Sequence, residues 1–189
     1  MLWRFEDPAQ VAGLSLAVGV AVLRALAVAG LPGLALKWPN DILWGTAKLG
    51  GVLLEVAGEA HGRCAVVMGL GLNRYLPAAA AAAIDQDWTD LGRVAHGAPP
   101  PRNRLVAQVL NELLPLLRDY PQQGLRAYLP EWRAAHAFAG HPATLRMGER
   151  QVEGHIADVT DEGLLLFRDQ DGQLRPFASG EVRLRISAP

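Results

Sequence analysis

The sequence predicts an α+β protein in which a mixed β-sheet with helices, residues 1–140, precedes a small β-barrel, residues 141–189. Two observations carry this prediction. Long apolar segments before residue 140 have the spacing of helices alternating with strands. From Pro142 onward, short runs of alternating polar and apolar residues are separated by glycine turns, which is typical of a small barrel. The pattern changes near Gly140, where we expect the domain boundary.

Composition limits the classes of function that fit the chain. Its 189 residues are 50% hydrophobic and 20% charged, with a net charge of −1. This composition predicts a folded core and gives no basic excess that favours nucleic acid or a membrane surface. The single cysteine, Cys64, excludes an intramolecular disulfide and is expected to be buried. Arg24 divides the apolar stretch 11–36 into pieces shorter than the roughly 20 residues that span a bilayer, so we expect a cytoplasmic chain.

Hydrophobic periodicity and turn residues place the elements. In the first domain we expect strands at 2–6, 34–38, 42–44, 48–56 and 63–72, and helices at 8–29, 102–120 and 124–137. In the second domain we expect strands at 143–147, 151–159, 163–168, 174–178 and 181–186. The dense apolar run 63–72 should be a central strand covered on both faces. Pro115 should bend or shorten its helix, and Pro130 should interrupt the next one.

Two connecting segments are less regular. Residues 58–62 have the composition of a hairpin turn. The segment 76–97 admits two interpretations, because its alanine run 78–83 favours a helix by propensity, whereas a loop that becomes ordered on ligand binding fits equally well. The sequence alone does not decide between them.

Several familiar signatures of chemistry are absent from the sequence. Gly69 and Gly71 lack the third glycine of a dinucleotide-binding fingerprint, because Arg74 stands at that position. No phosphate-binding loop motif occurs, and the five histidines have no cysteine or acidic partners at metal-ligand spacing. No serine has a recognisable histidine and acid partner, so nucleophilic catalysis has no candidate.

One polar turn with two lysines remains. The segment 37–41 reads KWPND, and the segment 48–55 reads KLGGVLLE. A lysine that ends one apolar strand and a lysine that opens the next could together neutralise a phosphate and a carboxylate. Asn40 and Asp41 could bind a hydroxyl group or Mg²⁺, and the glycine pair 50–51 would let a ligand approach the backbone. On these residues alone, an ordinary hairpin with solvated lysines is the alternative.

Four sequence blocks together resemble the biotin protein ligases. The segment 37–41 resembles the family's KWPND motif, and the segment 48–55 resembles its K-L-x-G-I-L-x-E strand. The segment 67–73, VMGLGLN, resembles the V-x-G-x-G-x-N strand, and the segment 180–185, GEVRLR, resembles the end of the carboxyl-terminal domain. The blocks occur in the family's order, and the resemblance covers essentially the whole chain. It implies the ligase catalytic fold followed by an SH3-like barrel.

The resemblance implies a two-step reaction. Biotin and ATP first give biotinyl-5′-AMP and pyrophosphate, and the acyl group then passes to one lysine of a biotin carboxyl carrier protein. By motif, Lys48 matches the family's catalytic lysine, which contacts the biotin carboxylate and the α-phosphate. Gly51, with Gly50 beside it, would lie against biotin.

The same resemblance implies the residues that bind the nucleotide. Lys37, Asn40 and Asp41 would serve ATP and its Mg²⁺, with Asp41 as the metal ligand. Asn73 would contact the adenylate. Trp88 matches an aromatic residue that covers adenine in a loop ordering on binding, and a core or surface tryptophan is the alternative for this position.

The terminal barrel is implied to contribute as well. Glu181 and Arg185 match polar positions that face the active site in the family, and an ordinary exposed strand edge is the alternative for both. Some family members dimerise through the first sheet, so a homodimer is open, and the sequence does not decide the oligomeric state.

The chain also departs from the family pattern. Family members carry a Gly/Arg-rich loop resembling G-R-G-R-x-G, and a Ser/Thr segment that contacts biotin, before the strand matched by residues 2–6. Neither occurs in these 189 residues, nor does the DNA-binding domain of the bifunctional members. We therefore expect a ligase catalytic domain without its amino-terminal part, with strands missing from the sheet, an exposed edge, and weak or no activity alone.

Two competing functions stay open at this point. One is a non-catalytic, ligase-like module that binds carrier protein or another subunit. The other is a relative that transfers lipoyl or octanoyl groups on a similar fold. The KWPND block and the small terminal barrel favour biotin over the second alternative.

Overall fold

Two five-stranded sheets and four helices build the structure, a computed structural model that describes residues 1–58, 62–77, 84, 86–179 and 183–186. The first sheet consists of β1 (Leu2–Phe5), β2 (Leu34–Lys37), β3 (Asp41–Trp44), β4 (Ala47–Gly58) and β5 (Cys64–Leu72), and the second of β6 (Pro142–Met147), β7 (Arg150–Val159), β8 (Leu165–Asp169), β9 (Leu174–Phe177) and β10 (Arg183–Ile186). The helices are α1 (Leu14–Val28), α2 (Leu91–Val94), α3 (Arg102–Gln123) and α4 (Leu129–Ala135). This confirms the predicted α+β class.

Both sheets are antiparallel along their ladders. The strand order is β1-β5-β4-β3-β2 in the first sheet and β10-β6-β7-β8-β9 in the second. Within the described residues, parallel pairing occurs at two single bridges, Leu36 with His136 and Lys48 with Trp88. The second of these bridges lies in the candidate site.

The predicted helix 8–29 is divided in two. Asp7 caps a single 3-10 turn, Pro8–Val11, by accepting a hydrogen bond from the Ala9 amide at 2.8 Å. Gly13 then takes the left-handed conformation, with φ of 69°, and α1 begins at the next residue. Because α1 is apolar on nearly every side, it is buried between the sheet and α3.

The two proline predictions had different outcomes. α3 runs for 22 residues and continues through Pro115, which faces solvent, so Pro115 does not shorten its helix. The predicted helix 124–137 is interrupted, since a 3-10 turn, Leu125–Ala127, ends before α4, and Pro130 lies in the first turn of α4, where no backbone donor is needed. None of the helices in the described ranges is long and apolar enough to cross a membrane.

β5 is covered on one face only, so the prediction of a doubly covered strand was wrong. Cys64, Val66 and Met68 are buried beneath the helices, and Cys64 is a free thiol, as expected. The alternating positions Val67 and Gly69 are exposed. The apolar run therefore reflects one core face and one face left open, a pattern that composition does not distinguish from a strand buried on both sides.

The second sheet docks beside the turn that carries the KWPND segment. The indole N–H of Trp38, a side chain 1% exposed, donates to the Gly163 carbonyl at 3.0 Å. The Ala137 amide donates to the Leu36 carbonyl at 2.9 Å. The Trp38 bond joins the end of β2 to the second domain, and the Ala137 bond joins it to the segment just before the domain boundary, so Lys37 lies at the junction.

Three sequence expectations lie outside the described residues. They are the helix or loop at 78–83, the tip of the hairpin at 59–61, and the terminal-barrel residue Glu181.

Candidate ligand-binding site

A cavity of about 670 Å³ opens on the uncovered face of the first sheet. Its floor consists of glycines on adjacent strands, since Gly51 of β4 pairs with Gly71 of β5, and Gly69 lies two residues away on the same face. A Cβ atom at Gly71 would meet its nearest neighbour at 4.0 Å, and one at Gly69 at 3.8 Å. The floor is therefore flat backbone that a ligand can approach closely.

Gly50 and Gly51 have different structural reasons to be glycine. A Cβ atom at Gly50 would lie 2.2 Å from the Gly71 carbonyl oxygen, so this position is required by the packing of β4 on β5. A Cβ atom at Gly51 would point to the site, 3.4 Å from Asp41 Oδ1 and 3.8 Å from Lys48 Cε. The backbone of Gly50 lines the cavity, and its role as a biotin contact stays a prediction.

A β-bulge brings Lys48 to the same side as Gly51. Residues three apart in a regular strand face opposite sides of the sheet. The register between β3 and β4 shifts between Ile42 and Leu43, so that Ile42 pairs with Gly50 and Leu43 with Lys48. Bulges commonly redirect side chains at sites, and this one lets Lys48 reach the glycine floor.

Asp41 lies between the two lysines. Its carboxylate is 2.6 Å from Lys48 Nζ and 4.0 Å from Lys37 Nζ. The Asp41 side chain is 15% exposed, and those of Lys37 and Lys48 are 21% and 33% exposed. One partly buried carboxylate therefore faces two ammonium groups, which leaves an excess of positive charge for an anionic ligand.

Burial lowers the pKa of Lys37. Loss of hydration is the largest cause, and the positive charges of Lys48 and Arg185 lower the pKa further, while Asp41 partly offsets them. Lys48 and Arg185 therefore each lie within electrostatic reach of Lys37. The sequence contains two lysines among its 18 basic residues, and both are in this cluster.

A second cavity of about 670 Å³ lies between the two domains and meets the first at Lys48 and Asp41. Lys37 and Arg185 also line it, together with His141, the residue directly before β6. The structure thus brings Arg185 to the predicted site. Lys48 is placed where a ligand in either cavity can reach its ammonium group.

The two predicted asparagines hold the backbone of the site. The Asn40 side chain donates to the Val52 carbonyl at 2.7 Å, which joins the KWPND turn to β4. The Asn73 side chain donates to the carbonyls of Thr89, at 3.1 Å, and Lys48, at 3.5 Å. Among the described residues neither side-chain oxygen accepts a hydrogen bond, and the nucleotide contacts predicted for Asn40 and Asn73 stay predictions.

The segment around Trp88 is bonded directly to Lys48. The Lys48 amide donates to the Asp87 carbonyl, and the Thr89 amide donates to the Lys48 carbonyl, each at 2.9 Å. Trp88 is half-buried and lines the first cavity. Trp88 therefore borders the cavity, and its predicted contact with adenine stays a prediction.

Sequence reasoning missed Gly69, Gly71 and the bulge. The two glycines were quoted as part of a motif and were not assigned to the site. Their spacing of two in a strand was the available signal, because it puts both on one face. The bulge had no signal in the sequence, since it depends on the pairing of β3 with β4.

Asp41 is the residue that fits a metal ion carried by a ligand. Across the described residues, no three histidine, cysteine or acidic side chains form a metal-binding group. A single carboxylate suits Mg²⁺ that is held mainly by phosphate oxygens and water. The role of Asp41 as a metal ligand therefore stays a prediction.

These features are those of a protein that binds an anionic small molecule: a glycine floor, two lysines facing one carboxylate, and a small domain beside the cavity. Residues 140–185 match the family described as Biotin protein ligase C terminal domain. The chain is 31% identical over 172 residues to the Biotin--[acetyl-CoA-carboxylase] ligase of Paracoccus denitrificans, covering 86% of this chain and 69% of that one. The chain belongs to the biotin protein ligase family.

Two further comparisons agree with this. The chain is 33% identical over 186 residues to the Bifunctional ligase/repressor BirA of Escherichia coli, covering 98% of this chain and 57% of that protein. It thus spans little more than half the length of that relative. The fold matches the biotin protein ligase from Aquifex aeolicus in complex with biotin and ATP, with a TM-score of 0.75, 23% identity, and coverage of 98% of this chain and 78% of that one.

The glycine floor generates a paired prediction. Gly50→Ala should lower the free energy of unfolding by about 1–3 kcal/mol, because its methyl group would overlap a neighbouring backbone carbonyl. Gly71→Ala should leave stability unchanged and weaken binding of a biotinyl-5′-AMP analogue by about tenfold, because its methyl group stands in the cavity. Urea unfolding and titration calorimetry measure the two effects. Equal destabilisation by both substitutions would show that the floor is not open.

The lowered pKa of Lys37 generates a second prediction. A neutral amine reacts with acylating reagents, so Lys37 should reach half of its maximal reaction rate at a pH below 10.5, the ordinary lysine value. Inorganic triphosphate should shift this midpoint upward, because a bound anion favours the ammonium form. Mass spectrometry of the labelled chain measures the profile, and the urea-unfolded chain is the control. A folded-state midpoint at or above the unfolded one contradicts the electrostatic account.

Proposed function

We propose that this chain forms the part of a biotin protein ligase that joins biotin to ATP and delivers the biotinyl group to a lysine of a biotin carboxyl carrier protein. The observation that carries the proposal is the position of Lys48. It lies at the meeting point of the two cavities, 2.6 Å from Asp41, and its backbone is bonded to the segment of Trp88. A cytoplasmic location is part of this proposal.

In the first step, a carboxylate oxygen of biotin attacks the α-phosphorus of ATP, and pyrophosphate leaves. Negative charge builds between the carboxylate and the α-phosphate. The Lys48 ammonium group is a mobile point charge, so it can stabilise the negative charge on the carboxylate oxygens and on the α-phosphate oxygens at the same time. Gly51 and the glycine floor let the acyl chain and the adenylate lie against the sheet.

Lys37 and Arg185 would serve the phosphates. Both line the cavity between the domains, next to Lys48. The pKa of Lys37 is lowered by burial and by its cationic neighbours, so a polyphosphate relieves an unfavourable interaction when it enters. Mg²⁺ that arrives with ATP would gain Asp41 as a ligand, and Mg²⁺ supplies additional neutralisation of phosphate charge when bound.

In the second step, the ε-amine of the carrier lysine attacks the acyl carbon of biotinyl-5′-AMP. An amide bond forms, AMP leaves, and the proton of the amine passes to solvent or to a nearby base. The carrier would approach along the cavity between the domains, which opens toward the acyl end of the site at Lys48. Arg185 on β10, and Glu181 by family resemblance, would contribute from the second domain.

The 189-residue chain alone is expected to be a weak enzyme. The Gly/Arg-rich loop that family members place over the phosphates does not occur in the sequence. Loss of electrostatic donors of this type costs about 100-fold to 1,000-fold in rate per donor. A non-catalytic, ligase-like module that binds carrier protein is the second candidate.

Biotin-dependent exchange of pyrophosphate into ATP tests the proposal. We expect exchange by the chain alone to be at least about 100-fold slower than by a chain fused to the Gly/Arg-rich segment of the Paracoccus denitrificans relative. In the fused chain, Lys48→Ala should abolish exchange, because the charge that stabilises the developing anion is removed. Arg104→Ala, an exposed substitution on α3, is the matched control.

Each other outcome has a definite meaning. A fused chain that folds but shows no exchange would favour the non-catalytic module. Exchange that depends on octanoate and not on biotin would support the acyl-transfer alternative. Rapid exchange by the 189-residue chain itself would contradict the expected weakness of the isolated chain.

A further inference from the structure

Trp88 has a cation on its ring. The guanidinium carbon Cζ of Arg93 lies 4.2 Å from the centroid of the Trp88 indole. Trp88 lines the cavity above the glycine floor, whereas Arg93 is not among the described residues that line it. Trp88 therefore has a cation against its ring and also borders the cavity.

Arg93 stands on a rigid support. It belongs to α2, where the Asp90 carboxylate accepts a hydrogen bond from the Arg93 amide at 2.9 Å and another from the Leu76 amide at 3.1 Å. The Leu91 amide donates to the Asn73 carbonyl at 2.8 Å, which joins the start of α2 to the end of β5. Asp90 is 7% exposed, so these bonds are shielded from water.

The backbone on both sides of Trp88 is bonded to Lys48. The two backbone bonds of its neighbours Asp87 and Thr89 to Lys48 fix the position of its Cα atom. They do not fix the orientation of the indole, because a side chain on a fixed backbone still samples several rotamers. The contact with Arg93 is made by the ring itself, so it favours the rotamers that bring the indole under the guanidinium group.

We propose that Arg93 is a positioning residue, which stacks on one face of Trp88 and holds the opposite face toward the cavity as a platform for the base of a bound adenylate. The inference rests on the proposed function and adds a residue that the sequence motifs do not contain. A guanidinium plane stacks on an aromatic face, and a planar purine needs a second flat surface of that kind. Arg93 acts through Trp88 and does not touch the ligand.

The platform also connects the base to the reacting end of the site. Trp88 and Lys48 are joined by the parallel bridge, so an indole held in one orientation sets the distance between the purine and the Lys48 ammonium group. Arg93 is exposed, so the stacking contact is of the modest size seen at solvent-facing sites. The expected effect of its removal is accordingly a few-fold change in affinity.

Titration calorimetry with two probes tests the role of Arg93. The probes are a non-hydrolysable sulfamoyl analogue of biotinyl-5′-AMP, which carries the base, and biotin, which does not. Arg93→Met should weaken the analogue about three- to fivefold and leave biotin unchanged, because only the analogue uses the platform. Arg93→Lys should recover most of the affinity, since it restores a cation over the ring.

A double-mutant cycle separates positioning from a general effect on folding. In a Trp88→Leu background, Arg93→Met should cause no further loss of analogue affinity, because the ring through which it acts is gone. Arg74→Met is the matched control. Arg74 lies over Tyr75 at 5.1 Å, a similar pair that is not among the described residues lining this cavity.

The outcomes are distinguishable. An unsubstituted chain that binds neither probe, alone or fused to the Gly/Arg-rich segment, overturns the proposed function, and this inference with it. A chain that binds the analogue equally well with Arg93→Met overturns the inference alone. Equal weakening of biotin and the analogue, or additive losses in the cycle, would also overturn it, since either shows an effect that does not pass through Trp88.

Discussion

The site is organised around the carboxylate of Asp41. Two lysine ammonium groups face this one partly buried carboxylate, and Arg185 of the second domain adds a third cation within electrostatic reach. Charges that are partly removed from water interact strongly, so the excess positive charge is unfavourable until an anion enters. The KWPND turn, the bulge in β4 and the docking of the second domain all serve to bring these groups together.

The second constraint is an uncovered sheet face. Most sheets in mixed folds bury both faces or solvate one with polar side chains. Here the open face carries Gly51 and Gly71, which pair with each other, and Gly69 two residues from Gly71, so the backbone itself forms much of the cavity floor. The helices α1 and α3 lie on the other face, which supplies the core that keeps this thin floor rigid.

Much of this arrangement was predictable from the sequence. Apolar periodicity located the strands of the first sheet, and the motif resemblance located Lys37, Lys48 and Asp41. Local patterns could not show which face of β5 was open, because a strand with one apolar face and glycines on the other resembles a buried strand. They also could not show the bulge that redirects Lys48 or the support of Trp88 by Arg93, since both depend on contacts between distant segments.

The central claim is that the glycine floor beside Lys48 holds the acyl-adenylate. The most direct measurement is the change in backbone amide chemical shifts of ¹⁵N-glycine-labelled chain on addition of the sulfamoyl analogue of biotinyl-5′-AMP. The account predicts large shifts at Gly51, Gly69 and Gly71, and none at Gly148 and Gly172, which lie in turns of the second sheet. Binding that leaves the three floor glycines unshifted would contradict it.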